Sequence, residues 1–94
     1  MAVARIPRPL VNSMNSVAAD FLRIDSEVAL TFSGIALAAT DTATKTRTSL
    51  AARRAYDTIA RLKVRIKLTD AERNRINVNL ARLRTELQRL GQAL

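Results

Sequence analysis

The stretch Leu68–Gly91, LTDAERNRINVNLARLRTELQRLG, decides the fold. Thr69 followed three residues later by Glu72 is a capping box, in which hydroxyl and carboxylate each accept a backbone N–H that a helix start leaves without a partner. Leu68 precedes the box, but Arg73 stands where a full hydrophobic staple needs an apolar residue. Downstream, Ile76, Leu80, Leu83, Leu87 and Leu90 follow at spacings of 4, 3, 4 and 3. That is an a/d heptad seam, built to pack against another helix. Gly91 sits where such a helix ends on a left-handed residue. A helix over 70–90 is therefore expected. Arg75, Arg82 and Arg89 recur on its far side. Asn77 and Asn79 are poor helix formers for which the seam gives no reason.

Upstream, Ala52–Lys67 reads ARRAYDTIARLKVRIK. On a 3.6-residue wheel Thr48, Ala52, Ala55, Ile59, Leu62 and Ile66 fall within about 80°, with Tyr56 at the margin. Arg47, Arg54, Arg61 and Arg65 lie opposite. Leu50, Val64 and Leu68 form a second, weaker apolar edge beside Asp57. A helix over 43–67 follows, capped by Asp41 or Thr42, with tight turns expected at about 40–43 and 67–69. The Thr-rich run Ala39–Ser49 weakens helix where the first turn is placed.

Before that turn, Phe21, Ile24, Val28, Phe32, Ile35 and Ala39 recur at spacings of 3 or 4 and read as the core face of a helix over 13–40. Arg23 and Glu27 make an i,i+4 pair outside it. Asp25 or Ser26 offers a cap for a break, but the uninterrupted spacing favours one helix. Gly34, Ala36 and Ala38 are small enough to admit a close neighbour. Residues 1–12, with Pro7 and Pro9, read as an extended basic arm, and Asn12 or Ser13 as the helix cap. The whole is an all-α antiparallel three-helix bundle in a single domain over 13–94, since short turns make consecutive helices neighbours.

Composition restricts the function. The chain has 94 residues, no Cys and no His. Disulfides, thiolate metal sites, the usual general base and the usual pH switch are absent with them. The eight carboxylates are scattered, and there is no glycine-rich phosphate loop. Asp25 and Glu27, two residues apart on a helix, point away from each other. The expectation is a non-enzymatic protein with no metal and no cofactor. The longest near-apolar run, Val28–Ala39, is short of the roughly 20 residues that a membrane span needs. The start of the chain has no apolar signal core, although its acid-free first 19 residues have a transit-peptide flavour. Lack of Cys fits a cytoplasmic location.

The net charge of +8 is uneven. Residues 45–75 hold ten Lys/Arg against three acids, whereas residues 1–44 hold three Arg against four acids. Such asymmetry favours acidic partners. Arg47, Arg54, Arg61, Arg65, Arg75 and Arg82 are candidate anion or nucleic-acid contacts. The bland alternative is a solvated face, because Arg is a good helix former and belongs opposite a core. Too few aromatics are present to stack bases. Ile76, Leu80, Leu83, Leu87 and Leu90, with Leu50, Val64 and Leu68, offer more apolar surface than a hairpin needs, and are a candidate interaction seam for a homodimer or a partner protein.

The segments ARRAYDTIARL and LTDAERNRINVNLARLRTELQRLG together resemble small bacterial helical-bundle proteins, over about residues 27–91. The resemblance implies a compact helical module in a bacterial cytoplasm and no activity. The helix around Ala55–Tyr56 is also similar to the second helix of tetratricopeptide hairpins, but the helix lengths depart from that 34-residue repeat and there is no second copy. The expected function is a helical interaction module that self-associates or binds a partner protein, with nucleic-acid binding through the Arg stripes as the alternative.

Overall fold

The computed structural model describes residues 8–94, and their side chains from Met14 onward. Three helices run in sequence: α1 Arg8–Ala38, α2 Thr42–Leu62 and α3 Asp70–Arg89. They form an all-α three-helix bundle about 60 × 26 × 19 Å. α1 packs against both partners, while α2 and α3 share a smaller contact.

The capping box forms in both directions. Thr69 Oγ1 accepts from the Glu72 N–H at 3.2 Å, and Glu72 Oε1 accepts from the Thr69 N–H at 2.9 Å. At the other end Gly91 takes φ +87°. Its N–H donates to the Gln88 carbonyl at 3.0 Å, and the Gln92 N–H to that of Leu87 at 3.0 Å. Both bonds of a Schellman motif are present. Asp41 caps α2, its Oδ2 accepting from the Thr44 N–H at 2.8 Å. That bond and the Thr44 hydroxyl hold the Asp41 carboxyl below its usual range.

The core has two parts. Toward one end Ala19, Leu22, Ile59, Leu68, Ile76 and Leu80 pack together, with Ala55, Tyr56, Leu62 and Ile66 at their edge. Toward the other, Ala29, Ala52, Leu83 and Leu87 pack with Leu30, Phe32, Leu90 and Leu94. The expected stripes of α2 and α3 thus do face inward.

α1 departs from expectation in two ways. It begins at Arg8, not Ser13, so the extended arm does not reach residue 12. Pro9 lies in the first turn, where its missing N–H removes no helical bond. Residues 1–7, the rest of the arm, lie outside the described residues. As the uninterrupted spacing leads one to expect, the helix is continuous through Asp25 and Ser26. Most consequentially, its buried positions are Ala19, Leu22, Ser26, Ala29, Ser33 and Ala36. Phe21, Ile24, Val28 and Ile35, read as core from their spacing, are exposed, and only Phe32 of that run packs inward. Small side chains let α2 and α3 approach α1 closely, and the serine hydroxyls are satisfied locally. The Ser26 hydroxyl donates to the Arg23 carbonyl at 2.7 Å, and the Ser33 hydroxyl lies 3.0 Å from the Leu30 carbonyl. Gly34 is not a close-approach site, since a Cβ built there meets nothing within 4 Å.

α2 also stops at Leu62, five residues short of the expected 67. The Arg65 N–H closes a short turn on the Leu62 carbonyl at 2.9 Å. The chain then swings inward, so that Ile66 and Leu68 pack over Ala19, Leu22 and Ile76. A helix continued to 67 would carry Leu68 away from that cluster.

Two polar rungs tie α1 to α3. Asn79 Nδ2 donates to Ser26 Oγ at 2.9 Å, and the Ser33 hydroxyl donates to the Glu86 carboxylate. Each joins residues 53 apart, so the two helices run parallel in one register. This accounts for Asn79. Asn77 accepts from Lys63 Nζ at 3.0 Å, bracing the α2–α3 link.

Candidate interaction surface

The residues expected to form an interaction seam divide sharply. Ile76, Leu80, Leu83 and Leu87 are buried within this one chain, as is Leu68, and Leu90 is half-buried. Their apolar surface is already covered by α1 and α2, so the α3 seam is the core of the bundle and offers no external face. Leu50 and Val64 are exposed, but they stand 14 positions apart with Asp57 between them. They do not make a continuous edge.

The external apolar surface is on α1. Met14, Val17, Phe21, Ile24, Val28 and Ile35 are all exposed, from 43% at Ile35 to 69% at Val17. Their spacings are 3, 4, 3, 4 and 7, with exposed Thr31 at the one missing position. The same helix therefore carries two heptad faces. The inner one is of Ala, Ser and one Leu; the outer one is of Met, Val, Phe and Ile. An ordinary surface helix buries its larger apolar side chains and leaves polar ones outside, and α1 does the reverse. From Met14 to Ile35 the outer stripe is about 33 Å long at the usual helical rise.

Charge beside the stripe is largely paired within the chain. Arg23 lies 3.9 Å from Asp20 and 3.5 Å from Glu27. Arg75 of α3 reaches across to Glu27 at 3.9 Å. The stripe thus has a rim of paired charges, with Asp25 the one acid beside it without an ion pair among the described residues.

The cationic candidates also divide. Arg47, Arg54, Arg61 and Arg65 are exposed and have no ion-pair partner among the described residues. Arg75 leans to Glu27, and Arg82 lies 4.0 Å from Glu86 on its own helix. Of these six candidates the four without an ion pair thus belong to α2 and its C-terminal link, and the two on α3 lie toward acids.

A cleft of about 250 Å³ is bordered by Ala19, Asp20, Arg23, Ala71, Glu72, Arg75 and Ile76. Its acids are engaged, Asp20 with Arg23 and Glu72 in the cap of α3. Among the described residues no group of three carboxylates gathers to hold a metal, and Glu27, one of the two acids considered above, already takes two arginines. No helix of the described residues is long and apolar enough to cross a membrane.

No family model, curated protein or solved structure matches the chain.

Proposed function

We propose that this protein is a non-enzymatic helical interaction module whose working surface is the outer stripe of α1. The observation that carries this reading is the inverted distribution of apolar size on α1: six Met, Val, Phe or Ile side chains face solvent in heptad register while Ala, Ser and one Leu, Leu22, face the core. A contiguous apolar patch of this kind, rimmed by polar residues, is a recurrent mark of an association site.

Because the chain lacks cysteine, a single introduced thiol reports on one position alone. Ile24→Cys labels rapidly with a maleimide in dilute purified protein. The reading predicts that it is strongly protected in cells producing the protein at native level, while Val78→Cys, on the outer side of α3, labels equally in both settings. Full reactivity of Ile24→Cys in the cell refutes it.

A second reading rests on the unpaired row Arg47, Arg54, Arg61 and Arg65, which suits a polyanion backbone. If it operates, the chain retards a random-sequence DNA duplex at low salt and releases it steeply as salt rises. Arg54→Gln, Arg61→Gln and Arg65→Gln together then remove binding without unfolding the bundle. A duplex that ignores the wild-type chain at 100 mM salt leaves the row as a solvated face.

A further inference from the structure

We infer that the occupant of the outer α1 stripe is the same stripe of a second copy of this chain, paired across a two-fold axis; this rests on the reading just given and names its partner. Three observations favour a second copy. The first is the width of the stripe. Its residues keep to one narrow heptad line flanked by Asp20, Asp25 and Glu27, the shape that accepts one other helix. A lipid surface calls for a broad apolar face beside a cationic one, and α1 has acids there. The second is charge. Asp20 and Glu27 are neutralised by Arg23 and Arg75 of their own chain, which leaves Asp25 as the single unpaired acid beside the stripe among the described residues, so a like copy meets little repulsion there.

The third is area. At the exposures given above the six side chains present roughly 600 Å² per copy, and two copies together reach about the 1,200 Å² at which stable interfaces begin. Closed two-fold pairing makes this patch its own complement, as in most homodimers. Phe21, Ile24 and Val28 fall at the middle of the stripe, and central, fully covered anchors carry most of the affinity of an interface.

Light scattering after size exclusion, with sedimentation equilibrium of the full chain, tests this. The wild type is expected at twice the 10.4 kDa chain mass, with little dependence on salt. Ile24→Glu should raise the dimer dissociation constant on the order of 100-fold and leave the helical circular dichroism unchanged, because Ile24 is half exposed in the single chain. Val78→Glu should leave the dimer intact. A dimer that survives Ile24→Glu uses another face and overturns the inference. So does a wild-type chain that stays monomeric at every concentration. The thiol experiment then separates the two proposals. Monomeric protein whose Ile24→Cys is protected in cells has a different partner, and only the second copy is wrong. Monomeric protein with no protection in cells overturns both. Wild type that floats with anionic phospholipid vesicles while Ile24→Glu does not would assign the stripe to lipid and overturn the second copy.

Discussion

Leu22→Ala and Val17→Ala, compared in the same helix, test which face of α1 is inside. Leu22 is fully buried against Ile59, Ile76 and Leu80. Truncating it removes three carbons from a site closed on all sides. Core truncations of this kind cost about 2–5 kcal/mol, the upper part of the range applying where neighbours cannot collapse into the space. The neighbours here belong to two other helices, which resist collapse. In a domain of this size each kcal/mol lowers Tm by roughly 4–8 °C, so the Leu22 variant should melt about 8–40 °C below wild type. Val17 is 69% exposed. Its truncation removes little buried surface and improves helix propensity, so the change should stay within about 0.5 kcal/mol. Both are read by circular dichroism melts and urea titrations of dilute protein, so that association does not contribute. The periodicity of the large side chains alone predicts the opposite order, because Val17 is in line with Phe21, Ile24 and Val28. A Val17 variant less stable than the Leu22 variant would refute the assignment of the inner face.

Three further outcomes follow from the two caps and from the glycine inside α1. Thr69→Ala should destabilise the chain by about 0.5–2 kcal/mol, whereas Thr69→Ser, which keeps the accepting hydroxyl, should cost less; an unchanged urea midpoint in Thr69→Ala would contradict the capping box. Gly34→Ala should stabilise by roughly 0.5–1 kcal/mol, since the added methyl meets no neighbour; a lower urea midpoint would show a contact that this geometry lacks. The Asp41 carboxyl is held below its unfolded value by the Thr44 N–H, so its contribution is present above about pH 4 and is lost as pH falls through the lower folded value. Asp41→Asn, which caps without titrating, should therefore lose less stability between pH 6 and pH 3 than wild type, measured by the urea midpoint at each pH.

α2 and α3 were legible in the sequence because their inward residues are also their most apolar. The Ile76–Leu90 seam and the Thr69–Glu72 pair leave no competing reading. α1 was legible as a helix but not in its orientation. Two stripes repeat on it at the same period, and Ala19, Ser26, Ala29, Ser33 and Ala36 carry too weak an apolar signal to win against Phe21 and Ile24. What turns α1 is the requirement for close approach and the two rungs to α3, both of which depend on residues some 53 positions away. The early end of α2 was hidden for a similar reason. Ile66 continues the helical stripe on paper, and only the need to cover Ala19 and Leu22 bends the chain after Leu62. The arginines were legible as an outer face, but their pairing was not, since Arg75 meets Glu27 only once α1 and α3 are side by side.

The rungs constrain how such a chain can drift. Leucine seams are permissive to sliding, because a shift of one heptad puts leucine opposite the same kind of neighbour. The rungs are not interchangeable: one joins a hydroxyl to an amide and the other joins a hydroxyl to a carboxylate. A slide of seven residues that sets Glu86 against Ser26 leaves Ser33 without either partner. Related chains should therefore exchange Leu, Ile and Met freely along the seam, while positions 26 and 79, and 33 and 86, change together or not at all.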